Sequence, residues 1–256
     1  TGGAGYVGSH MTLELVDRGD KVVVLDNLAT GVKGLVSEAA TFVQGDIRDS
    51  KLVGEIIARQ DVEAVIHFAG SVVVPDSVTD PLSYYANNTA ASRDLIATCV
   101  ASGVKQFICS STAAVYGVTD QASLAADAVK DPASPYGRSK LITEWMLEDT
   151  AHATDLRYVA LRYFNVAGAD PSGRSGQSTP RATHLIKRAC QAALGRVPYL
   201  GIFGTDYPTP DGTGIRDYIH VADLIGAHAL ALQHLRGGGA SNLFNCGYGH
   251  GFSVRE

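Results

Sequence analysis

The sequence predicts an α/β protein built on a doubly wound parallel sheet, with a smaller α/β unit at its C-terminal end. Three observations support this fold class. Short β-rich apolar runs alternate with segments of helix length, several of these runs are apolar almost throughout, and a glycine-rich turn opens the chain. Strands buried on both faces lack a polar–apolar alternation, and repeated strand–helix units produce parallel sheets with right-handed crossovers.

The predicted elements follow one another in a regular order. The strand-like runs are KVVVLD (21–26), TFVQGD (41–46), EAVIHFA (63–69), KQFICSS (105–111) and LRYVALRYF (156–164). The helix candidates around them lie near 6–18, 49–60, 81–102 and 137–153. This alternation is typical of consecutive strand–helix units.

The composition changes at 168–180, a segment rich in Gly, Pro and Ser that predicts a loop. Further helix candidates near 182–195 and 222–235 flank a long stretch that is again dense in Gly, Pro and Asp. We therefore expect a first domain over 1–167 and a second, smaller domain over 168–256.

Composition and charge narrow the possible functions. The chain has 256 residues, of which 45% are hydrophobic and 18% are charged, as in ordinary globular proteins. A formal net charge of -5 argues against a nucleic-acid surface, and the longest apolar stretch, AVIHFAGSVVV, is too short to span a membrane. Cys99, Cys109, Cys190 and Cys246 form no CxxC pair, so we expect no disulfide framework and no metal site, but reduced packing cysteines in a cytoplasmic protein.

The opening turn has the glycine spacing of a phosphate-binding loop. Gly2, Gly5 and Gly8 follow a GxxGxxG pattern, which overlaps a GxGxxG match. One glycine permits the tight turn, one lets the backbone approach a pyrophosphate, and one lets the helix pack on its strand. The helix that starts near Tyr6 would point its N-terminal amides at the phosphates.

An acidic residue strengthens this interpretation. KVVVLD ends in Asp26, about 20 residues after the glycines, where a carboxylate can bind the ribose hydroxyls of adenosine. The same carboxylate would repel a 2′-phosphate, so NAD is predicted over NADP. Together the two features predict a Rossmann-like dinucleotide-binding domain.

Both ends of the sequence carry signals for elements that the sequence does not contain. A phosphate-binding turn normally follows a strand, and Ser253-Val254-Arg255-Glu256 is a capping box of the kind that begins a helix. We therefore expect the sequence to lack the first strand, which belongs at the centre of the sheet, and part of the C-terminal unit. We also expect these 256 residues to be unstable or inactive by themselves.

Two further motifs suggest catalysis. Tyr136 and Lys140 form a Y-x-x-x-K pair, which a helix places on one face. Tyrosine has a pKa of about 10, and bringing it near 7 requires about 4 kcal/mol of phenolate stabilisation, which an ammonium and a cationic nicotinamide could supply. The run KQFICSS leads into Ser110, Ser111 and Thr112, at the strand end where parallel sheets bind ligands. Taken alone, the Y-x-x-x-K spacing also arises by chance, and the strand-end hydroxyls are also explained as a polar strand cap.

The motifs taken together resemble the nucleotide-sugar 4-epimerases of the extended short-chain dehydrogenase/reductase family. The segments that carry this resemblance are TGGAGYVGSH, LDNL, GDIRD, HFAG, YYANN, SSTAAVYG, SPYGRSK, RYFNVAGADP and IFGTDYPTPDGTGIRDYIHV. The last two are the most specific to 4-epimerases. Dehydratases of the family have an Asp-Glu pair after the strand-end threonine, where this chain has Ala113-Ala114, which argues against dehydration.

The resemblance implies an enzyme that interconverts UDP-galactose and UDP-glucose by transient oxidation at C4 with tightly bound NAD. It implies that Tyr136 takes the proton of the 4-hydroxyl, that Thr112 assists by a hydrogen bond, and that Lys140 lowers the pKa of Tyr136 and holds the nicotinamide ribose. It also implies a homodimer formed through helices 81–102 and 137–153. Two alternatives stay open, namely another nucleotide sugar (a UDP-N-acetylhexosamine or UDP-pentose) and a non-catalytic NAD-binding sensor.

The resemblance further assigns binding residues. Those expected at the cofactor are Gly2, Gly5, Tyr6, Val7, Gly8, Asp26, Asn27, Asp46, Ile47, Phe68, Ala69, Gly70, Asn87, Ser110, Tyr136, Lys140 and Phe164. Those expected at the substrate are Thr112, Tyr136, Asn165, His184, Leu185, Phe203 and Arg216. The chain departs from many relatives at Val72, where they have lysine, and at Thr183-His184-Leu185, where they have Asn-Asn-Leu.

Overall fold

The apolar runs predicted as strands are strands in the structure, a computed structural model that describes residues 1–119, 121, 123–179 and 183–256. The strands are β1 Val23–Asp26, β2 Thr41–Gln44, β3 Ala64–His67, β4 Gln106–Thr112, β5 Arg157–Tyr163, β6 Asn165–Ala167, β7 Ile215–His220, β8 Asn242–Cys246 and β9 Gly251–Ser253. The helices are α1 Tyr6–Asp17, α2 Ser50–Gln60, α3 Val74–Thr79, α4 Pro81–Tyr84, α5 Ala91–Ala101, α6 Pro135–Ala153, α7 Leu185–Ala193 and α8 Val221–Arg236.

The strands form three sheets. β1 and β2 pair in parallel, and β3, β4, β5 and β8 form a parallel four-stranded sheet in the order β3-β4-β5-β8. The third sheet has the order β6-β7-β9, with β9 antiparallel. The two parallel sheets meet at the opening residues, because the N–H of Gly2 donates to the carbonyl of Leu25 and the carbonyl of Thr1 accepts from the N–H of Phe68.

Helices cover both faces of the four-stranded sheet. On one face, α2, α5 and α6 pack against Phe107 of β4 and Ala160 of β5. On the other face, α8 packs against Ile108 of β4 and Val159 of β5. Adjacent residues of the same strand thus enter opposite cores, which is why these strands read as continuous apolar runs. The predicted doubly wound α/β fold is confirmed.

Side-chain caps set where three of the helices begin. Asp49 accepts a hydrogen bond from the N–H of Leu52 at the start of α2. Asp80 caps α4 in the same way, and Ser134 caps α6 by accepting from the N–H of Gly137. A proline at the first position of α6 has the backbone angle that a helix needs there, so this helix begins two residues earlier than predicted.

The helix predicted over 81–102 is divided. It consists of α4, a π-helical segment Tyr85–Ala90 and α5. The sequence pattern missed this division because all three parts are helical, and it also missed α3, which precedes them. π-helical turns inside helices are often found at functional sites.

The C-terminal part returns to the large sheet. The helix predicted near 182–195 is α7, with residue 182 outside the described residues, and the helix predicted near 222–235 is α8. β7 lies within the long stretch that is dense in Gly, Pro and Asp, for which the sequence predicted no element, and β8 pairs with β5. The division at 167/168 stays a prediction, and the segment 221–246 packs with the first unit.

The expected capping box is present. The N–H of Ser253 donates to Oε2 of Glu256 at 2.7 Å, and the N–H of Glu256 donates to the Ser253 hydroxyl at 3.2 Å. Of the four cysteines, Cys190 is exposed and therefore does not have the predicted packing role, whereas the other three are buried.

Two features are absent from the part of the chain that the structure describes. No described helix is long and apolar enough to cross a membrane. No group of three or more His, Cys, Asp or Glu side chains among those residues is arranged to hold a metal ion.

The packing of α8 generates a stability prediction. Leu224 is fully buried against the sheet and Leu230, on the same helix, is 65% exposed. We expect Leu224→Ala to lower the free energy of unfolding by about 2–5 kcal/mol through lost burial and a residual cavity. The matched variant Leu230→Ala should change it by less than about 0.5 kcal/mol. Urea unfolding followed by circular dichroism checks this, and equal losses in the two variants would contradict the packing described.

Candidate active site

The glycine-rich turn is packed tightly at two of its three predicted glycines. Gly2 has a φ of +72°, and a Cβ atom there would lie 2.5 Å from the backbone nitrogen of Ala69. A Cβ atom on Gly8 would lie 2.2 Å from the carbonyl oxygen of Gly2. On Gly5 the nearest atom would be that same oxygen at 3.3 Å. Gly2 and Gly8 therefore hold the turn and α1 together, whereas the side of the turn at Gly5 is open to a bound group.

Tyr6 and Val7 begin α1 directly after this turn. The Tyr6 hydroxyl donates to the carbonyl of Gly168 at 2.6 Å, and burial raises the pKa of the phenol. The side chains of Tyr6 and Val7 both pack in the cluster between α1 and α8. These two residues can therefore offer a phosphate their backbone amides, since their side chains are used within the protein.

Asp26 ends β1 beside the turn. Its carboxylate accepts hydrogen bonds from the N–H of Ala4 at 3.0 Å and from the N–H of Leu28 at 2.8 Å. Leu28 has a φ of 60°, a left-handed conformation that is uncommon outside glycine, Asn and Asp. Each carboxylate oxygen has a second lone pair, so Asp26 shapes the turn and can still accept a bond from a ligand.

Asn27 and Asp46 follow the carboxyl ends of β1 and β2 and contact each other. Nδ2 of Asn27 donates to Asp46 at 3.0 Å. Arg48 donates two bonds to the same carboxylate, at 2.9 and 2.8 Å, and this pairing lowers the pKa of Asp46. Ile47, the next residue, is buried in the core. The structure thus brings two of the predicted cofactor residues, Asn27 and Asp46, into contact.

The loop after β3 is held by an amide network. The side chain of Asn88, in the π-helical segment, accepts from the N–H of Ser71 at 2.7 Å and donates to its carbonyl at 2.9 Å. The predicted Asn87 donates to the Ser71 hydroxyl at 2.9 Å. A Cβ atom on Gly70 would lie 3.6 Å from Nζ of Lys140. The loop is therefore fixed directly beside that ammonium.

Tyr136, Lys140 and Thr112 meet at the carboxyl end of β4. Nζ of Lys140 donates to the carbonyl of Ser110 at 2.9 Å. The Thr112 hydroxyl accepts from the N–H of Ala114 at 3.1 Å and lies close enough to the phenol of Tyr136 to lower its pKa. All three predicted catalytic side chains are buried. The strand end and the first two turns of α6 therefore form one polar group at the edge where parallel sheets bind ligands.

Burial dominates the protonation of these groups. It raises the pKa of Tyr136, which the nearby Thr112 hydroxyl lowers and the neighbouring Tyr84 and Cys109 raise further. Burial also lowers the pKa of Lys140. We expected Lys140 to lower the pKa of Tyr136, but in the protein alone burial outweighs any such effect.

The aromatic candidates lie near the same strand ends. Phe68 stacks on the imidazole of His228 with 4.9 Å between ring centroids. The hydroxyl of Ser110 is hydrogen-bonded to that of Tyr163, and Phe164 is half-buried directly after β5. These three candidates therefore lie at or directly after the carboxyl ends of β3, β4 and β5.

The predicted substrate residues are spread over the C-terminal part. Asn165 begins β6 and donates to the carbonyl of Asp217 at 3.4 Å, so it is fixed against β7. Arg216, on β7, is exposed and donates to the carbonyl of Ile215 at 2.7 Å. Phe203 is 92% exposed and is not brought into the buried group around Tyr136.

His184 and Leu185 stand at the beginning of α7. Burial and the nearby Lys187 lower the pKa of His184, so its ring is neutral at pH 7. Gln177 lies 3.4 Å from Nδ1 of the same ring. These contacts place both candidates beside the 168–180 loop.

Comparison with known proteins identifies the family. The sequence pattern of the NAD dependent epimerase/dehydratase family matches residues 1–247. The chain belongs to this family. It is 57% identical over 256 residues to the UDP-glucose 4-epimerase of Azospirillum brasilense, a match that covers 100% of this chain and 74% of that protein.

Solved structures agree with the family at the level of the fold. UDP-glucose 4-epimerase from Brucella ovis in complex with NAD superimposes with a TM-score of 0.96 at 47% identity, covering 100% of this chain and 78% of that one. UDP-glucose 4-epimerase from Stenotrophomonas maltophila, with bound NAD and formylated UDP-arabinopyranose, gives 0.95 at 40% identity, covering 100% and 79%.

Three buried residues near the site in this family member were not predicted. Asn88 makes the hydrogen bonds that hold Ser71. The second asparagine of YYANN is the feature of the sequence that could have indicated it. Glu144 and Arg162 form a buried ion pair behind β4. Their positions are 18 residues apart and on different elements, so the sequence alone gave no reason to pair them.

His228 generates a prediction about pH. Burial lowers the pKa of this fully buried imidazole from 6.5 to about 4, so the folded protein holds it neutral. Between these values the unfolded chain binds a proton that the folded protein does not, so stability is full above pH 6.5 and falls as the pH drops towards 4. The contribution reaches roughly 3 kcal/mol.

We expect His228→Leu to flatten this decline, as measured by urea midpoints from neutral pH down to pH 4. His234→Gln, an exposed histidine on the same helix, is the control and should leave the decline unchanged. Parallel curves for the parent and His228→Leu would show that this imidazole is not the group responsible.

Proposed function

We propose that the protein containing this chain interconverts UDP-galactose and UDP-glucose by inverting C4 of the hexose, with NAD as a tightly bound cofactor. The observation that carries the proposal is the grouping of Tyr136, Thr112 and Lys140 at the carboxyl end of β4. The relative and both solved structures described above are UDP-glucose 4-epimerases, and the two structures contain NAD.

The residues present fit NAD. The turn is closed at Gly2 and Gly8 but open at Gly5, as a site for a pyrophosphate at the N-terminus of α1 requires. Asp26 ends β1 with spare lone pairs for ribose hydroxyls. Gly70 lies beside Lys140 and so connects this cleft to the catalytic group. When bound, NAD supplies reversible hydride transfer at C4 of the sugar.

The protein's own contribution is the movement and placement of one proton. Tyr136 would take the proton of the 4-hydroxyl and return it, and Thr112, whose hydroxyl lies near the phenol, would hold the same hydroxyl. Burial favours the neutral phenol, so a positive charge must be added nearby before the phenolate becomes accessible at neutral pH. The ammonium of Lys140 supplies one such charge and is anchored on Ser110, within reach of a ribose beside Gly70.

The nucleotide part of the substrate would bind the C-terminal elements. Arg216 is exposed on β7, and its guanidinium matches the geometry of a diphosphate. Asn165 lies on the neighbouring strand and can donate to the same ligand. Phe203, His184 and Leu185 would then lie along the nucleotide.

The direct test of the mechanism is Tyr136→Phe, which removes the proton-transferring hydroxyl and keeps the ring. We expect kcat for UDP-galactose to fall by about 10²–10⁴-fold, since general acid–base catalysis contributes that much, while NAD stays bound. Tyr158→Phe removes the hydroxyl of another buried tyrosine on β5 and should keep the parent rate. Turnover by Tyr136→Phe at the parent rate would overturn the assigned role.

The sugar specificity has one alternative with direct support. The Stenotrophomonas structure holds a UDP-pentose derivative, so epimerisation of a UDP-pentose is the second candidate, and a UDP-N-acetylhexosamine is the third. A non-catalytic NAD-binding sensor would have no use for a buried Tyr–Thr–Lys group. Parallel assays with the three sugar nucleotides separate these possibilities.

We also propose a homodimer formed through α4, α5 and α6, as the family resemblance suggests. Large apolar side chains are exposed on two of these helices, with Leu82 of α4 78% exposed and Trp145 of α6 53% exposed. Covering such side chains is a common reason for association.

Two expectations stay predictions, namely a cytoplasmic location and the inactivity of residues 1–256 on their own.

The dimer proposal predicts that Trp145→Glu yields a monomer in light scattering at micromolar concentration, because a charge would be buried at the interface. Leu194→Glu changes a residue of similar exposure, 67%, directly after α7, and should remain dimeric. A parent protein that is monomeric under these conditions would contradict the proposal.

A further inference from the structure

A buried ion pair lies directly behind the catalytic group. Arg162 of β5 donates from Nε to Oε1 of Glu144 at 2.9 Å and from Nη2 to Oε2 at 2.5 Å. The two side chains are only 1% and 4% exposed. Burying both charges carries a large desolvation cost, and well-packed apolar residues often replace such pairs without loss of stability. Stability alone therefore does not account for the pair.

The carboxylate of this pair reaches the strand that carries Thr112. The Ser111 hydroxyl donates to Oε1 of Glu144. Ser111 stands between Ser110, whose carbonyl accepts from Lys140, and Thr112, whose hydroxyl lies near the phenol of Tyr136. Two consecutive residues of β4 are thus bonded to α6, and the bond made by Glu144 is the one next to Thr112.

The guanidinium of the pair extends the same network to the segment between Thr112 and α6. Nη1 of Arg162 donates to the Tyr116 hydroxyl at 2.7 Å and to the carbonyl of Ala126 at 2.8 Å. The Tyr116 hydroxyl donates in turn to Asn245 of β8 at 2.6 Å, and Asn245 donates to the carbonyl of Leu124 at 2.9 Å. The connection that leads from the strand end to the catalytic helix is therefore fixed at several points.

We propose that Glu144 and Arg162 are positioning residues for the epimerisation, which set the distance between Thr112 and Tyr136 by holding Ser111. This inference rests on the proposed function for its chemistry. The pair touches neither sugar nor cofactor and acts through the strand end. A displacement of about 1 Å between such groups can cost on the order of 10²-fold in rate.

The first test is Ser111→Ala, which removes the tie and leaves the ion pair in place. With the purified holoenzyme and UDP-galactose, we expect kcat to fall by about tenfold, and by about 10²-fold for Glu144→Leu/Arg162→Met, which removes both charges together. KM and the amount of bound NAD should stay near the parent values. Ile57→Val, which removes a buried methyl group from α2, is the control for a slightly loosened core and should keep the parent kcat.

A second readout does not depend on turnover. The pKa of Tyr136 is measured by following the phenolate absorbance of each variant as the pH is raised. The curve of the same variant carrying Tyr136→Phe is subtracted, so that only Tyr136 contributes. Displacement of the Thr112 hydroxyl from the phenol should raise this pKa in Ser111→Ala, whereas the other groups facing the phenol, Tyr84, Cys109 and Tyr163, are unchanged.

An unchanged kcat and an unchanged Tyr136 pKa in Ser111→Ala would overturn the proposal. A fall in kcat that merely parallels a loss of bound NAD or a lower melting temperature would also overturn it. If the parent protein does not convert UDP-galactose, the proposed function fails, and the titration alone then decides whether the pair positions Tyr136.

Discussion

The connection between β4 and α6 is the constraint on which the site depends. Lys140 reaches back from the helix to the carbonyl of Ser110, and Glu144 reaches back to the hydroxyl of Ser111. These bonds hold β4 against α6. β4 is buried on both faces, and α6 begins at a side-chain cap. Thr112 ends the strand and Tyr136 lies in the first turn of the helix, so these bonds fix where the two side chains stand relative to each other. The arrangement of the site thus follows from packing within the protein.

A second junction supplies the place for a cofactor. The glycine turn lies between β1 and β3, and its tight contacts at Gly2 and Gly8 require residues without side chains. The carboxylate of Asp26 closes the turn from one side, and Asn88 fixes the loop beside Lys140 from the other. The two junctions face the same edge of the parallel strands, so a dinucleotide bound at one would reach the other. The family membership of the chain agrees with this arrangement.

Local sequence patterns predicted the structural features that depend on residues close together in the sequence. Apolar runs indicated strands buried on both faces, and the Y-x-x-x-K spacing and the strand-end hydroxyls indicated buried residues that lie near the end of β4. The features that were missed depend on pairs far apart in the chain, such as Ser111 with Glu144, or Asn245 with Tyr116. The return of β8 to the large sheet and the π-helical segment before α5 were missed for related reasons, since neither changes the local hydrophobic pattern. The rise in the pKa of Tyr136 was also missed, because the spacing of residues does not show that this side chain is buried.

The central claim is that this arrangement performs a reversible oxidation at C4 with a cofactor it retains. The most direct measurement mixes the full-length protein, purified without added cofactor, with UDP-galactose and separates the sugar nucleotides over time. UDP-glucose that accumulates without added NAD is the result we predict. The absence of UDP-glucose, in a preparation that releases NAD on denaturation, would contradict the claim and leave the fold and the cofactor with a different substrate.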